Sequence, residues 1–399
     1  MTDGTSVFTD PAQAVEGAAA DALAARTLQI DVERWRAVRA EVAHEATADA
    51  AGAGQGVSTE AGRGSAGPLE EHVLERVRRV YARHSPHAAP LPAPAGGDEN
   101  GVVAAVGDQL PLPPSALCPA CGARRVRATV ARRPGPVVYG CCEACGHGVC
   151  WHGGALPGEG GARYSDPTYY EQRDARGVGY DDYGAEETYR LAKGARLVAA
   201  LAGAAAAGGG RIHSLLEVGS GFGFTREAAR RAGLVTGGVD LNPAACAQAR
   251  RRFGLTTFVG DLAAALAAAP GSGVAPGAWD AVLYQFVLEH VASVDEELLS
   301  ARRALAPGGW LALLVPSMEA VERTVFGASY RSLRADHLHL FSRASLDAFL
   351  GRAGFEIVRL ESGCNLHLLR SFLKASALRR LYADGLGPDL WCVARRRAE

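Results

Sequence analysis

The chain carries almost no surplus charge: 42 Lys and Arg against 43 Asp and Glu leave a net charge of −1 over 399 residues. That balance gives no global attraction to nucleic acid or to anionic membrane, so any such contact must come from a local patch. No apolar run reaches the roughly 18 residues that a membrane span needs. The N-terminus, MTDGTSVFTD, lacks the basic-then-apolar order of a secretory signal, and a cytoplasmic protein without membrane contact is expected. Cysteine is sparse along most of the chain. Of nine, six lie between Cys118 and Cys150, while Cys246, Cys364 and Cys392 are scattered. This distribution suits a metal site in a reducing compartment better than a disulfide framework. The remaining composition, 48% hydrophobic and 21% charged, is that of a soluble globular protein long enough for two or more domains.

Residues 1–84 read as an alanine-rich helical region. Leu28, Val32, Trp35, Val38 and Val42 form one apolar stripe, and Leu69, Val73, Val77, Val80 and Tyr81 form a second. The Gly/Ser-rich stretch between them lets the two helices fold as a hairpin, whose stripes suit packing on the chain itself, homodimerisation or a protein partner. Residues 85–116, with seven prolines, read as a linker. Then come CPACG, from Cys118, and CEACG, from Cys142. Each C-x-x-C is followed by a glycine that permits the turn pointing backbone N–H groups at the sulfurs, so Cys118, Cys121, Cys142 and Cys145 can converge tetrahedrally on a structural zinc. Cys141 competes with Cys142, but only Cys142 gives the x-x spacing to Cys145; His147 and Cys150 are left as spares. The span 117–160 is therefore read as a zinc ribbon. Its Arg124, Arg125, Arg127, Arg132 and Arg133 suit an exposed hairpin or a phosphate contact.

The stretch LLEVGSGFGFT, Leu215 to Thr225, runs from an apolar strand through Gly219, Gly221 and Gly223 into a helix. Glycine lets a nucleotide-like ligand approach the backbone and supplies φ > 0. A dinucleotide loop would place its third glycine where Phe224 stands. Strand and helix patterns then alternate: LVTGGVD ends at Asp240, TTFVGD at Asp261, WDAVLYQFVLEHV carries Glu289 and His290, and LAPGGWLALLVPS leads into an apolar strand. An acid closing the second strand is where a ribose diol is held.

The G-x-G-x-G loop preceded by Glu217, the L-E-H-V at 288–291 and the L-x-P-G-G-x-L at 305–311 together resemble the class I S-adenosylmethionine-dependent methyltransferases. With the CPxCG/CxxCG ribbon and the D-P-x-Y-Y stretch, the chain resembles bacterial members tied to glycan or secondary-metabolite modification. The resemblance implies an α/β fold: a Rossmann-like, doubly wound, mostly parallel seven-stranded sheet over 211–399, with an antiparallel edge and a tyrosine-rich cap with helices over 161–210. It implies S-adenosylmethionine as cofactor, with Glu217, Gly219, Gly221, Phe222 and Gly223 at the methionine end. Asp240 and Leu241 fall at the ribose, Asp261 and Leu262 at the adenine, and Gln285 beside them; Asp261 also fits a helix N-cap. Tyr169, Tyr170, Tyr180 and Tyr183 either line the cleft or pack a helix on the sheet. His290 leads as general base, with His337 and His339 behind it, because an imidazole takes a proton near neutral pH. His337 and His339 alternate as extended residues, which puts them on one side, in reach of substrate or in the core. In ubiquinone-type relatives an upstream acid joins the Glu and His around a metal; Phe286 takes its place here. D-P-P-Y, N-P-P-Y and Pro-Cys are absent, which argues against nucleobase methylation. The expected substrate is a small molecule, a sugar or a secondary metabolite, methylated on O or C; RNA methylation or RNA binding through the arginine-bearing ribbon is the alternative. Residues 318–336 read as a lid.

Overall fold

The computed structural model describes residues 117–123, 126–132, 136–151, 164–172, 179–320, 323, 330, 332–334, 336–363 and 387–398. The helical region expected over 1–84 and the linker expected over 85–116 lie outside them. Two sheets organise the described chain. In the smaller, β1 (Val126–Arg132), β2 (Pro136–Cys142) and β3 (Gly148–Trp151) form an antiparallel meander. A fourth strand, β9 (His339–Leu340), comes from much later in the chain and pairs Gly148 with Leu340 and Val149 with His339. The cysteine-bearing segment therefore shares a sheet with the rest of the protein.

The larger sheet comprises β4 (Ser214–Val218), β5 (Val235–Asp240), β6 (Phe258–Val259), β7 (Trp279–Gln285), β8 (Leu305–Pro316), β10 (Phe355–Gly363) and β11 (Asp389–Arg396). Its order is β10-β11-β8-β7-β4-β5-β6. The run from β8 to β6 is parallel, and β11 is antiparallel to both its neighbours, giving a mixed edge. The helices are α1 (Glu187–Ala207), α2 (Phe224–Arg231), α3 (Pro243–Phe253), α4 (Leu262–Ala267), α5 (Val294–Ala304) and α6 (Arg343–Arg352). The strands read as nearly unbroken apolar runs because both faces are covered. Alternation along them sorts side chains by face: Leu216, Val282, Leu311, Leu313 and Cys392 join one core, with residues of α4, α5 and α6. Leu215, Leu283, Ala312, Leu314 and Trp391 join the other, with α1.

Local chemistry fixes the helix starts. Asn242 caps α3 by accepting from Ala244 N and Ala245 N with Pro243 next, and Gly254 ends that helix at φ 70°. Ser293 caps α5, whose first turn holds Asp295, Glu296 and Glu297 and whose last holds Arg302 and Arg303, opposing the helix dipole at each end. At Gly194 a Cβ would lie 2.8 Å from Thr225 Cα, so glycine is what lets α1 lie against the start of α2. In-register pairing of β4 with β5 and β7 brings Val218, Val239 and Tyr284 level, and the loops beyond them meet in one crevice. The chain order reverses between β4 and β7, the place where ligands bind in open sheets of this kind.

Candidate active site

The loop after β4 has three left-handed glycines: Gly219 at φ 69°, Gly221 at 53° and Gly223 at 79°. A side chain at Gly219 would put Cβ 2.3 Å from Val287 Cγ2, so the constraint there is both conformational and steric. The loop is pinned to the end of β5: Gly219 N donates to Val239 O at 2.8 Å and Gly221 N to Asp240 Oδ2 at 2.7 Å. Asn242 N donates to the other oxygen of Asp240 at 2.8 Å. A carboxylate has about four acceptor sites, so room remains for further hydroxyl donors. Burial raises the Asp240 carboxyl above its ordinary value, against those two backbone N–H groups. Glu217 is 3% exposed, and burial pushes its carboxyl up to about 8 even though the Arg226 guanidinium pulls the other way. Its Oε2, like Ser220 Oγ, has no hydrogen-bond partner among the described residues. An orphaned buried carboxylate oxygen beside a glycine cradle fits a ligand ammonium.

The other expected residues fall around this loop with differing exposure. Phe222 is buried against Tyr170 and Tyr183, with ring centroids at 5.2 and 5.1 Å. The tyrosines at 169, 170, 180 and 183 contact one another, Arg190 lies 3.6 Å over the Tyr183 ring, and a Cβ at Gly221 would be 3.3 Å from Tyr183 Oη and 3.5 Å from Tyr170 Oη. The cluster packs internally and also fronts the loop. Leu241 is half-buried and Leu262 is fully buried in the core. Asp261 caps α4, its Oδ1 accepting from Ala264 N at 2.7 Å. Gln285 Oε1 accepts from Thr225 Oγ1 at 3.3 Å. Tyr284, on the alternate face of β7, is fully buried and gives its hydroxyl to Glu297 at 2.8 Å, so it packs rather than lines the crevice. Phe286 directly follows β7 at φ 55°, the only described non-glycine residue with positive φ, with Lys193 Nζ 4.6 Å from its ring. Such an outlier marks a site that the surrounding structure over-determines.

Glu289 and His290 sit in a 3-10 turn just beyond β7. His290 Nδ1 lies 2.6 Å from the Asp336 carbonyl oxygen and 2.6 Å from Tyr164 Oη. A carbonyl only accepts, so Nδ1 carries the hydrogen and Nε2 keeps its lone pair. Nε2 lies 4.0 Å from Glu289 Oε1. Tyr164 is held by Asn242, whose amide donates to Tyr164 O at 2.9 Å and to Asp166 O at 2.7 Å, so one residue joins the Asp240 corner to the His290 corner. Asp336 is fixed by a bidentate pair with Arg334 at 2.9 and 3.1 Å. Burial works against that carboxylate, yet Arg334 holds it well below its usual range.

His337 and His339 do not share one side. His337 N donates to Arg334 O, closing a turn that breaks the two-residue period. The ring of His337 faces His290 at 4.9 Å, and its Nδ1 donates to Ser332 O at 2.9 Å. Burial keeps it neutral, well below the ordinary histidine value. His339 is 3% exposed and faces the ribbon, its Nδ1 3.2 Å from His147 Nε2; burial lowers it to about 4. Ligand atoms of Glu289, His290 and His337 all lie within 4.8 Å of one another, close enough to share a cation.

Cys118, Cys121, Cys142 and Cys145 form a second such group. The Cys118–Cys145 and Cys121–Cys142 sulfur separations are both 3.6 Å, against about 3.8 Å for the edge of a tetrahedron with zinc–sulfur bonds of about 2.3 Å. The residues fit zinc. Gly122 and Gly146 follow the two knuckles at φ 71° and 72°. Burial pushes the Cys118 thiol up to about 11; Cys142 is lowered, with burial outweighed by the N–H groups of Cys145 and Ala144.

Sequence reasoning missed Tyr164, Asp336 and the His147–His339 pair. The tyrosine count of the cap was the one available signal.

Residues 185–360, from just before α1 into β10, match the family model of a methyltransferase domain. No curated protein matches the chain significantly. Among solved structures, the chain is similar to a chain of the Haloferax volcanii complex containing the Trm112 methyltransferase activator, at 18% identity over 47% of this chain and 83% of that one, TM-score 0.37. It is also similar to a SAM-dependent methyltransferase from Archaeoglobus fulgidus, at 16% identity over 46% and 86%, TM-score 0.34. An S-adenosylmethionine-dependent methyltransferase from Mesorhizobium loti gives 21% identity over 46% and 90%, TM-score 0.34.

Proposed function

We propose that this protein is an S-adenosylmethionine-dependent methyltransferase that methylates oxygen or carbon of a small molecule, a sugar or a secondary metabolite, with His290 as general base. The observation carrying this reading is the glycine loop with the buried, half-satisfied Glu217 carboxylate beneath it and His290 Nε2 presented at the neighbouring strand end. Glu217 receives the ammonium of the methionine portion, the loop amides and Asp240 hold the middle of the cofactor, and Asp261, through the oxygen not used in capping, takes the adenine amino group. When bound, the sulfonium supplies an activated methyl group with its own leaving group. The chain's share is then orientation, exclusion of water and removal of one proton. His290 takes the acceptor's proton at Nε2, because Nδ1–H is committed to the Asp336 carbonyl, and Tyr164 holds the ring plane. Glu289, fully buried beside it, stabilises the imidazolium that forms.

Calorimetry with S-adenosylmethionine and with NAD tests the cofactor assignment. Binding of the sulfonium and none of NAD is expected; the reverse overturns it.

A further inference from the structure

Resting on that reading of His290, we propose that the four-cysteine site is a positioning element of the methyl-transfer site, acting through His147 and His339. A ribbon that served only its own fold would meet the rest of the chain at a surface. This one shares a core, since Cys118, Cys142 and Cys145 belong to the same buried cluster as Val282, Leu311 and Phe349.

Its two knuckles grip the His290 turn from two directions. At the second knuckle, Ser342 Oγ, the cap of α6, donates to Cys145 O. Two residues on, His147 is fully buried in an apolar box, 5.4 Å from the Phe341 ring and 5.3 Å from the Phe349 ring, and its Nε2 pairs with His339 Nδ1 at 3.2 Å. His339 in turn stands on β9, which lies beside the turn that carries His290. At the first knuckle, Pro119 O and Ala120 O accept from the Arg352 guanidinium, which also pairs with Asp295 at 3.0 and 3.1 Å. Asp295 stands in the first turn of α5, so the turn of residues 288–292 is spanned between the His339 contact and the Arg352–Asp295 contact.

A metal bonded to all four thiolates ties the two knuckles together and so fixes the distance between those two holds. The glycine loop is instead pinned to the end of β5, at Val239 and Asp240. Metal loss, or loss of the His147 to His339 hydrogen bond, therefore displaces His290 with little effect on cofactor affinity. His147 and His339 are positioning residues in this scheme.

The test uses the full chain labelled with nitrogen-15 at histidine, the His290 signals being identified with His290→Gln. With His147→Phe, which fills the apolar box but cannot hydrogen-bond, about one equivalent of zinc and S-adenosylhomocysteine affinity within about twofold are expected to be retained. The His290 ring nitrogens should shift towards a tautomer average, and His147→Gln, which can still reach His339, should restore them in part. Arg352→Ala, at a half-exposed side chain, gives an independent break of the first-knuckle hold and should shift the same signals by less. Unchanged His290 signals in His147→Phe and Arg352→Ala, or in Arg352→Ala alone if His147→Phe does not fold, overturn the proposal. Shifted signals in a protein that binds no S-adenosylhomocysteine would sink the functional reading and leave the coupling standing.

Discussion

Around the glycine loop the polar partners come from nearby sequence, as Gly221 and Asp240 do at a separation of 19 residues. Around His290 they arrive from 46 residues away at Asp336, 126 at Tyr164 and, one layer behind, 192 between His147 and His339. The two regions also differ in how their leading groups are held. Beneath the loop, Glu217 Oε2 and Ser220 Oγ lack partners among the described residues, whereas His290 Nδ1, His337 Nδ1 and Asp336 are each tied to a backbone carbonyl or a guanidinium. A half-satisfied buried carboxylate is a receptor held ready for a charged ligand. In the proposed mechanism, a ring locked at Nδ1 takes its proton at the other nitrogen.

Substitutions that separate the two regions sharpen this contrast. His290→Ala should lower turnover by about 10²–10⁴-fold and leave S-adenosylhomocysteine affinity unchanged by calorimetry; a matching loss of affinity would mean that the regions are not separate. Gly219→Ala should do the opposite. The left-handed penalty of roughly 1–2 kcal/mol and the contact with Val287 weaken cofactor binding by about tenfold or more. Glu217→Gln tests the open carboxylate through stability. Because the folded-state value near 8 lies above the ordinary 4.5, the folded chain holds the extra proton between those values and loses stability as pH rises through that window. Denaturant midpoints of the natural chain should fall from pH 5 to pH 8 relative to those of the glutamine variant. The smallest effect is expected at Tyr164→Phe: the Asp336 carbonyl still fixes the tautomer, so turnover should drop by only a few-fold.

The same difference in sequence distance explains what could be read beforehand. The glycine loop, Asp240 and the C-x-x-C pairs are local spacings, and spacing survives in a linear string. The apolar strands followed from their alternation with helices. Tyr164 meeting His290, or His147 meeting His339, depends on β9 crossing over to join the ribbon, and no pattern at His339–Leu340 announces that pairing. The stretch expected as a lid contains Asp336 and Ser332, which are buried and hold His290 and His337. At Ser332 and Asp336 the backbone turns carbonyl groups towards imidazoles, so an aperiodic sequence there encodes hydrogen-bond acceptors.

In the proposed reading Glu217 receives the cofactor ammonium, and because burial lifts its carboxyl to about 8 it sheds a proton as that ligand arrives. The direct measurement is calorimetric titration of S-adenosylhomocysteine at pH 7 in two buffers of different ionisation heat. With the carboxyl near 8, binding should release close to one proton, and Glu217→Gln should abolish that release while weakening affinity. Binding without proton release in the natural chain, or no binding at all, would contradict the account.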